Sequence, residues 1–220
     1  TATLRALHAT KFAHMAEYAP QARGEPLEGM LLIAPVKVPG LPLPATLELI
    51  DAHGRKSALA GGIKRAGFWA TGPLPDTGRI VLAEGIATAL SIAQALGEPV
   101  AAALSVGNLR AAGETIRTER PNVRLVIAAD LGEGGRPHPE AVKAAEALRC
   151  PLIAPPADLG EGADFNDLHV RQGLDAVRRC FEQPDVVLTM AADLRMEPVR
   201  WLWEGWLPRG KLALLAGAPG

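Results

Sequence analysis

Aromatic residues are scarce in this chain: four Trp, four Phe and one Tyr make up 4% of 220 residues, although 48% are hydrophobic. The apolar content is therefore largely Ala, Leu and Val, side chains that suit helices packed on a sheet. Only two cysteines occur, Cys150 and Cys180. They allow one bridge at most, and each lies in an apolar or helical segment, so both read as cytosolic thiols. Neither has a close His partner, which argues against a structural zinc site. Charge of one sign is also missing. Lys and Arg number 23 against 24 Asp and Glu, a net charge of −1. No global basic field gathers nucleic acid, and any such contact must come from a local patch. No run approaches the roughly 20 apolar residues of a membrane helix, and no charged-then-apolar leader opens the chain. A soluble, cytoplasmic protein is the expectation, with ample material for one large or two small cores.

The residues present fall into three textures. Residues 1–75 are rich in Pro and Gly, with short extended runs such as "MLLIAPVKV", and "LELIDAHGRKSAL" turns at "DAHG" like a hairpin. Residues 76–182 alternate strand and helix. "RIVLAE" (79–84) is a short apolar strand. Ile86, Leu90, Ala93 and Gly97 follow at helical spacing, with Gly97 a natural stop. "VAAALS" (100–105) is the next strand, and Asn108 can cap a helix that carries Leu109, Ala112 and Ile116. "RLVIAAD" (124–130) comes next, then a helix with Pro139 near its start, then "PLIAPP" (151–156). Uninterrupted apolar strands between helices predict an α/β fold, a parallel sheet flanked by helices and preceded by a small, mainly β (α+β) subdomain. Right-handed crossovers then bring every strand's C-terminal end to one edge, where open α/β sheets place their chemistry. Residues 183–220 are the third texture, with three Trp in "RMEPVRWLWEGWLPRG" and an apolar run, "KLALLAGAPG", that breaks into Gly and Pro.

Two strands end in a carboxylate: Glu84 closes "RIVLAE" and Asp130 closes "RLVIAAD". Neighbouring strands lie about 4.8 Å apart, so these acids can share a cation if their strands are adjacent. Asp164 and Asp167 in "GADFNDLH" add two more, and Glu133 sits in the Gly-rich loop after Asp130. Mg²⁺ favours one or two carboxylates plus substrate phosphates. Such an ion stabilises attacking and leaving oxygens in phosphoryl chemistry. Each acid also has a structural reading, as an N-cap or a partner for a helix N-terminus. "DFND" alone reads equally well as an Asx turn that caps the next helix.

Together, strand–Glu–Gly–helix, strand–Asp–Gly-rich loop and DFND resemble the Toprim domain, the fold shared by bacterial-type primases, topoisomerases and certain nucleases. Within it, "VLAEGIATALSIAQALGEPVAAALSVGNL" is similar to the primases of phages, plasmids and integrating elements, and residues 25–178 follow that group's layout. The resemblance implies that Glu84 is a general acid/base or metal ligand. It implies that Asp130 is the first acid of a metal-carrying Asp-x-Asp, and that Asp164 and Asp167 belong to the same cluster. The second Asp-x-Asp position is Gly132, a departure, and Glu133 one residue further on is the candidate to substitute for it as a metal ligand. Mg²⁺ or Mn²⁺ is the implied cofactor. Arg55 and Lys56 in "GRK", with Lys64 and Arg65 in "IKR", match a region that holds template or incoming nucleotide, where clustered cations position phosphates without reading sequence. Their structural reading is a solvated hairpin face. His8, His14 and His169 have no ligand-like spacing, and His169 is expected on a helix surface.

"KLALLAGAPG" resembles the strand leading into a phosphate-binding loop, with Gly217 as its first glycine. With the Trp-rich stretch it looks like the start of a RecA-like helicase domain. The expected organisation is then a β-rich subdomain (1–75), a Toprim domain (76–182) and a linker with a truncated ATPase start (183–220). Three functions compete. The first is a metal-dependent DNA primase core, which makes short primers from nucleoside triphosphates on single-stranded DNA during replication of a mobile element, with a helicase domain in the same full-length chain and no membrane partner. The second is a Toprim-type nuclease, in which the same edge activates water. The third is a nucleic-acid-binding module whose site has decayed at Gly132.

Overall fold

The computed structural model describes residues 4–16, 19–41, 44–182, 201–203 and 207–208. The chain divides into two units, Thr1–Gln183 and Pro184–Gly220. The first begins with β1 (Arg5–His8), α1 (Ala9–Ala16), β2 (Gln21–Ala22), β3 (Glu25–Pro26), β4 (Met30–Val36), β5 (Thr46–Ile50) and β6 (Lys56–Ala58). An antiparallel sheet runs in the order β1-β4-β5-β6, and β2 pairs with β3 as a separate ribbon. β5 and β6 are the expected hairpin. Asp51 closes its turn by accepting hydrogen bonds from the backbone N–H groups of His53 (2.9 Å) and Arg55 (3.0 Å). α1 lies in a stretch without clear sequence pattern, and it forms because Ala9 and Phe12 bury against Leu27, Leu31 and Leu49.

The second sheet is built from β7 (Trp69–Ala70), β8 (Thr77–Ala83), α2 (Ile86–Leu96), β9 (Val100–Ala102), α3 (Leu109–Glu119), β10 (Asn122–Ala128), α4 (Pro139–Leu148), β11 (Leu152–Ile153), α5 (Phe165–Gln172) and α6 (Leu174–Phe181). Its order is β11-β10-β8-β9-β7, parallel throughout except that β7 runs antiparallel to β9. The apolar strands are buried on both faces for a visible reason. Ile80, Leu82, Leu125 and Ile127 pack with α3 and α4, whereas the alternate residues Val81, Ala83 and Ala128 pack with α2, α5 and α6. Gly97 ends α2 in the left-handed conformation (φ 69°), donating its N–H to Ala93 O, and Pro139 opens α4. No helix among the described residues is long and apolar enough to cross a membrane.

The two sheets meet where β4 runs out. Lys37 and Phe68 exchange backbone hydrogen bonds of 3.0 Å in each direction, and Trp69 shares a buried cluster with Ala34 and Val36. Gly67 sits in this seam with no room for a side chain: a Cβ would lie 2.9 Å from Lys37 O and 2.9 Å from Val36 Cγ1. The first of these is backbone and cannot swing away. Gly67→Ala is therefore expected to destabilise the protein by about 1–3 kcal/mol through overpacking, read as a lower urea midpoint with an unchanged slope.

In the second unit, β12 (Trp201–Trp203) pairs antiparallel with β13 (Leu207–Pro208). The apolar run expected in "KLALLAGAPG" lies outside the described residues.

Candidate active site at the carboxylate edge

β8 and β10 are adjacent and in parallel register, with Ala83 opposite Ala128. Glu84 is the next residue on one strand and Asp130 lies two past the end of the other, so both acids leave the sheet at the same edge. The backbone fixes each of them. Leu104, left-handed at φ 71°, donates its N–H to Glu84 O at 2.8 Å. His138 N–H donates to Asp130 O at 2.9 Å, and Gly132 N–H to Arg136 O at 2.6 Å, which folds the 131–138 loop back on itself. Leu131 exchanges backbone hydrogen bonds with Gly162 and Ala163, so the loop carrying DFND is tied to the loop carrying Asp130.

Burial and four charged groups act on Asp130. Burial pushes the Asp130 carboxyl up to about 7, and the negative charges of Glu84, Asp164 and Asp167 push the same way while Lys56 opposes them. Asp130 Oδ1 is buried with no hydrogen-bond partner. An orphaned carboxylate oxygen among other carboxylates is what a hard divalent cation would complete, so the donor set fits Mg²⁺ or Mn²⁺. Glu84 and Asp130 are the residues that could hold it. Among the described residues, no three His, Cys, Asp or Glu side chains form a ready ligand group.

DFND acts first as a cap. Asp164 Oδ1 accepts from the N–H groups of Asn166 (2.8 Å) and Asp167 (2.9 Å), and Asp167 Oδ2 accepts from Asp164 N–H (3.1 Å). This is a capping box on α5. Thr88 of α2 donates to Asp164 Oδ2 at 2.5 Å. Both oxygens of Asp164 are thereby engaged, and its charge reaches Asp130 through space. Glu133 is exposed at the start of a 3-10 turn, Glu133–Gly135, and supplies no third ligand to a ready group.

The loop also explains how Gly132 fits. Its φ and ψ (−101°, −156°) are open to any residue. A Cβ there would lie 3.3 Å from His138 Cα and 3.4 Å from Pro139 Cδ, tight but tolerable. Gly132→Asp is thus expected to fold and to tighten Mg²⁺ binding by about tenfold through an added carboxylate, measured by titration calorimetry.

The four sequence-predicted cations separate. Lys56 reaches the edge, its Nζ 3.8 Å from the point where a Cβ would stand on Gly85, beside Glu84. Arg55 turns away, with Nε 2.7 Å from Asp51 Oδ2 and a guanidinium NH 3.3 Å from Glu25. Lys64 Nζ pairs at 2.7 Å with the buried carboxylate of Glu48. Arg65 is exposed on the loop that follows. Two polar groups, Thr88 and Ser91, went unrecognised in the sequence, and a third, Asn108, was read for another role. Thr88 anchors Asp164, and Ser91 Oγ lies 3.1 Å from both Asn166 Oδ1 and His169 Nδ1, which sets the half-buried His169 ring against α2. Asn108 makes no cap bond to α3. Its side chain instead binds Ala66 N and the carbonyls of Lys64, Gly67 and Ala103. "TALS" and "GN" held these signals, but nothing local tells which distant atoms they meet.

The mixed sheet with paired acids at the C-terminal ends of adjacent parallel strands lies within residues 79–175, and these residues match the Toprim domain family. It is 32% identical over 128 residues to the DNA primase TraC of Escherichia coli, an alignment that covers 54% of this chain and 12% of that protein. The chain thus spans about an eighth of that relative's length. Among solved structures, the DnaG primase catalytic domain bound to single-stranded DNA superposes with a TM-score of 0.50 at 14% identity, over 75% of this chain and 56% of the other. The primase fragment of the bacteriophage T7 primase-helicase superposes at 0.47 and 13% identity, over 80% and 74%.

Proposed function

We propose that this chain carries the catalytic core of a metal-dependent DNA primase, a nucleotidyltransferase that joins nucleoside triphosphates into short primers on single-stranded DNA. The observation that carries the reading is the meeting of Lys56 with the carboxylate edge: a cation from the first sheet stands beside Glu84 and inside the field of Asp130. Carboxylates faced by a lysine suit a polyphosphate, which has anionic oxygens for the lysine and for a shared cation. The 32% identity to a DNA primase supports the same reaction.

Glu84 and Asp130 would hold Mg²⁺ or Mn²⁺, which supplies charge neutralisation on the phosphates and the departing pyrophosphate. Lys56 orients the triphosphate as a point charge. Glu84, half-buried at the strand end, accepts the proton of the attacking hydroxyl. Arg65 offers a contact to the template backbone. Asp164 and Asp167 hold the α5 end in place and keep the edge negative. A role in replicating a mobile element, a helicase domain in the full-length protein and a cytoplasmic location belong to the same proposal.

The test uses single-stranded DNA, labelled nucleoside triphosphates and Mg²⁺ or Mn²⁺. Short labelled oligonucleotides that require the metal are the expected product. Shortening of the DNA without added triphosphates would identify a nuclease instead. A folded protein that binds DNA and forms no product would identify a binding module.

A further inference from the structure

Asn108 is buried, with 7% of its surface exposed, and it lies on neither strand end that carries an acid. Its amide bonds three groups more than forty residues away in sequence and one five residues away. Oδ1 accepts from Ala66 N–H at 2.8 Å, and the two Nδ2 hydrogens are shared among Gly67 O (2.9 Å), Ala103 O (2.9 Å) and Lys64 O (3.1 Å). Two of the four non-glycine residues with positive φ among those described, Ala66 (62°) and Leu104 (71°), flank these bonds. Such backbone strain persists only where the surroundings over-determine it, and it gathers at functional sites. The connection continues to the acid edge. Ala103 N–H donates to Ala83 O at 2.9 Å, and Leu104 N–H donates to Glu84 O at 2.8 Å. On its other side the loop is tied to the first sheet by the Lys64–Glu48 ion pair and by the close packing of Gly67 on Lys37 O. One side chain therefore joins the loop bearing exposed Arg65 to Ala103, and the backbone of Ala103 and Leu104 continues the connection to the strand end bearing Glu84.

We infer that Asn108 is a positioning residue that sets Arg65 at a fixed distance from Glu84, so that a phosphodiester held by Arg65 is registered against the reacting edge. The inference rests on the primase reading for its ligand, a single-stranded DNA backbone, and on the hydrogen bonds alone for the latch. An amide is suited to this task because it supplies an acceptor for Ala66 N–H and donors for the carbonyls at once, whereas a carboxylate or a hydroxyl supplies only part of the set.

The experiment compares the wild type with Asn108→Ala, Arg65→Ala and the double variant, with Asn108→Ser as the milder change should alanine fail to fold. Three readouts are taken: hydrogen exchange at the Ala66 amide, single-stranded DNA affinity by fluorescence anisotropy, and kcat and KM for template in primer synthesis. Losing the latch is expected to speed Ala66 exchange by about tenfold or more, the effect of freeing one buried donor. DNA affinity should fall by about tenfold, as for loss of one charge-assisted contact, with no further loss in the double variant. KM for template should rise in step while kcat stays within about twofold, since the acids are untouched. A general loss of stability would lower kcat as well. Unchanged Ala66 exchange overturns the latch, and multiplying losses in the double variant overturn the route through Arg65. If the wild type makes no primers, exchange and anisotropy still decide the inference, and only the primase reading fails.

Discussion

At pH 8 without divalent cations, Asp130→Asn will unfold at a higher temperature than the wild type. The folded carboxyl titrates near 7, first because it is buried and then because Glu84, Asp164 and Asp167 repel its charge. In the unfolded chain the same group titrates near 3.9. Between about pH 4 and 7 the folded state therefore binds more protons than the unfolded state, and stability falls as pH rises through that window. Below it the carboxyl is neutral in both states and nothing is lost. Above it the full penalty applies, up to about 4 kcal/mol for roughly three units of difference. Asparagine keeps the shape and removes the charge. The advantage of the variant should grow from near zero at pH 4 to its full size by pH 8, a gain of about 5 °C or more in melting temperature. Thermal melts across that range check it, and a difference independent of pH would show that Asp130 is not strained by its charge.

Glu84→Gln is expected to lower the rate of primer synthesis by about 10²–10⁴-fold while leaving affinity for single-stranded DNA unchanged. Glutamine cannot take a proton from the attacking hydroxyl, and it offers a neutral oxygen where the proposed site needs an anionic one. The proposed contact to template is Arg65, which the change leaves in place. The same substitution removes one of the charges that raise Asp130, so the carboxyl of Asp130 should titrate lower in this variant. Product yield and DNA anisotropy, measured on one preparation, separate loss of chemistry from loss of binding.

The edge that carries these effects was legible because its signals are local. An uninterrupted apolar run that stops at an acid with Gly within two residues marks a buried parallel strand delivering a carboxylate, and Glu84 and Asp130 both follow that pattern. Gly97 and Pro139 likewise marked helix ends through their own backbone limits. What stayed hidden depends on pairing across the fold. Arg55 and Lys56 are consecutive, yet one is neutralised by Asp51 and Glu25 while the other faces the acids. Lys64 looked as available as Arg65 until folding buried Glu48 against it. β7 is two residues long and owes its place to Trp69 filling the core, so no periodicity announces it. Asn108 had the right residue type for a cap and a better use forty residues away. DFND was open between cap and acid cluster; it forms the cap and still contributes its charge.

Binding of Mn²⁺, followed by electron paramagnetic resonance, tests most directly whether Glu84 and Asp130 form a metal edge completed by substrate. The wild type should bind Mn²⁺ weakly alone and about tenfold or more tightly with a nucleoside triphosphate, because two carboxylates leave ligand positions that phosphates fill. Asp130→Asn should lose both. A folded wild type that takes up no Mn²⁺ even with the triphosphate, or an Asp130→Asn variant that binds it as well as the wild type, would contradict the assignment of this edge.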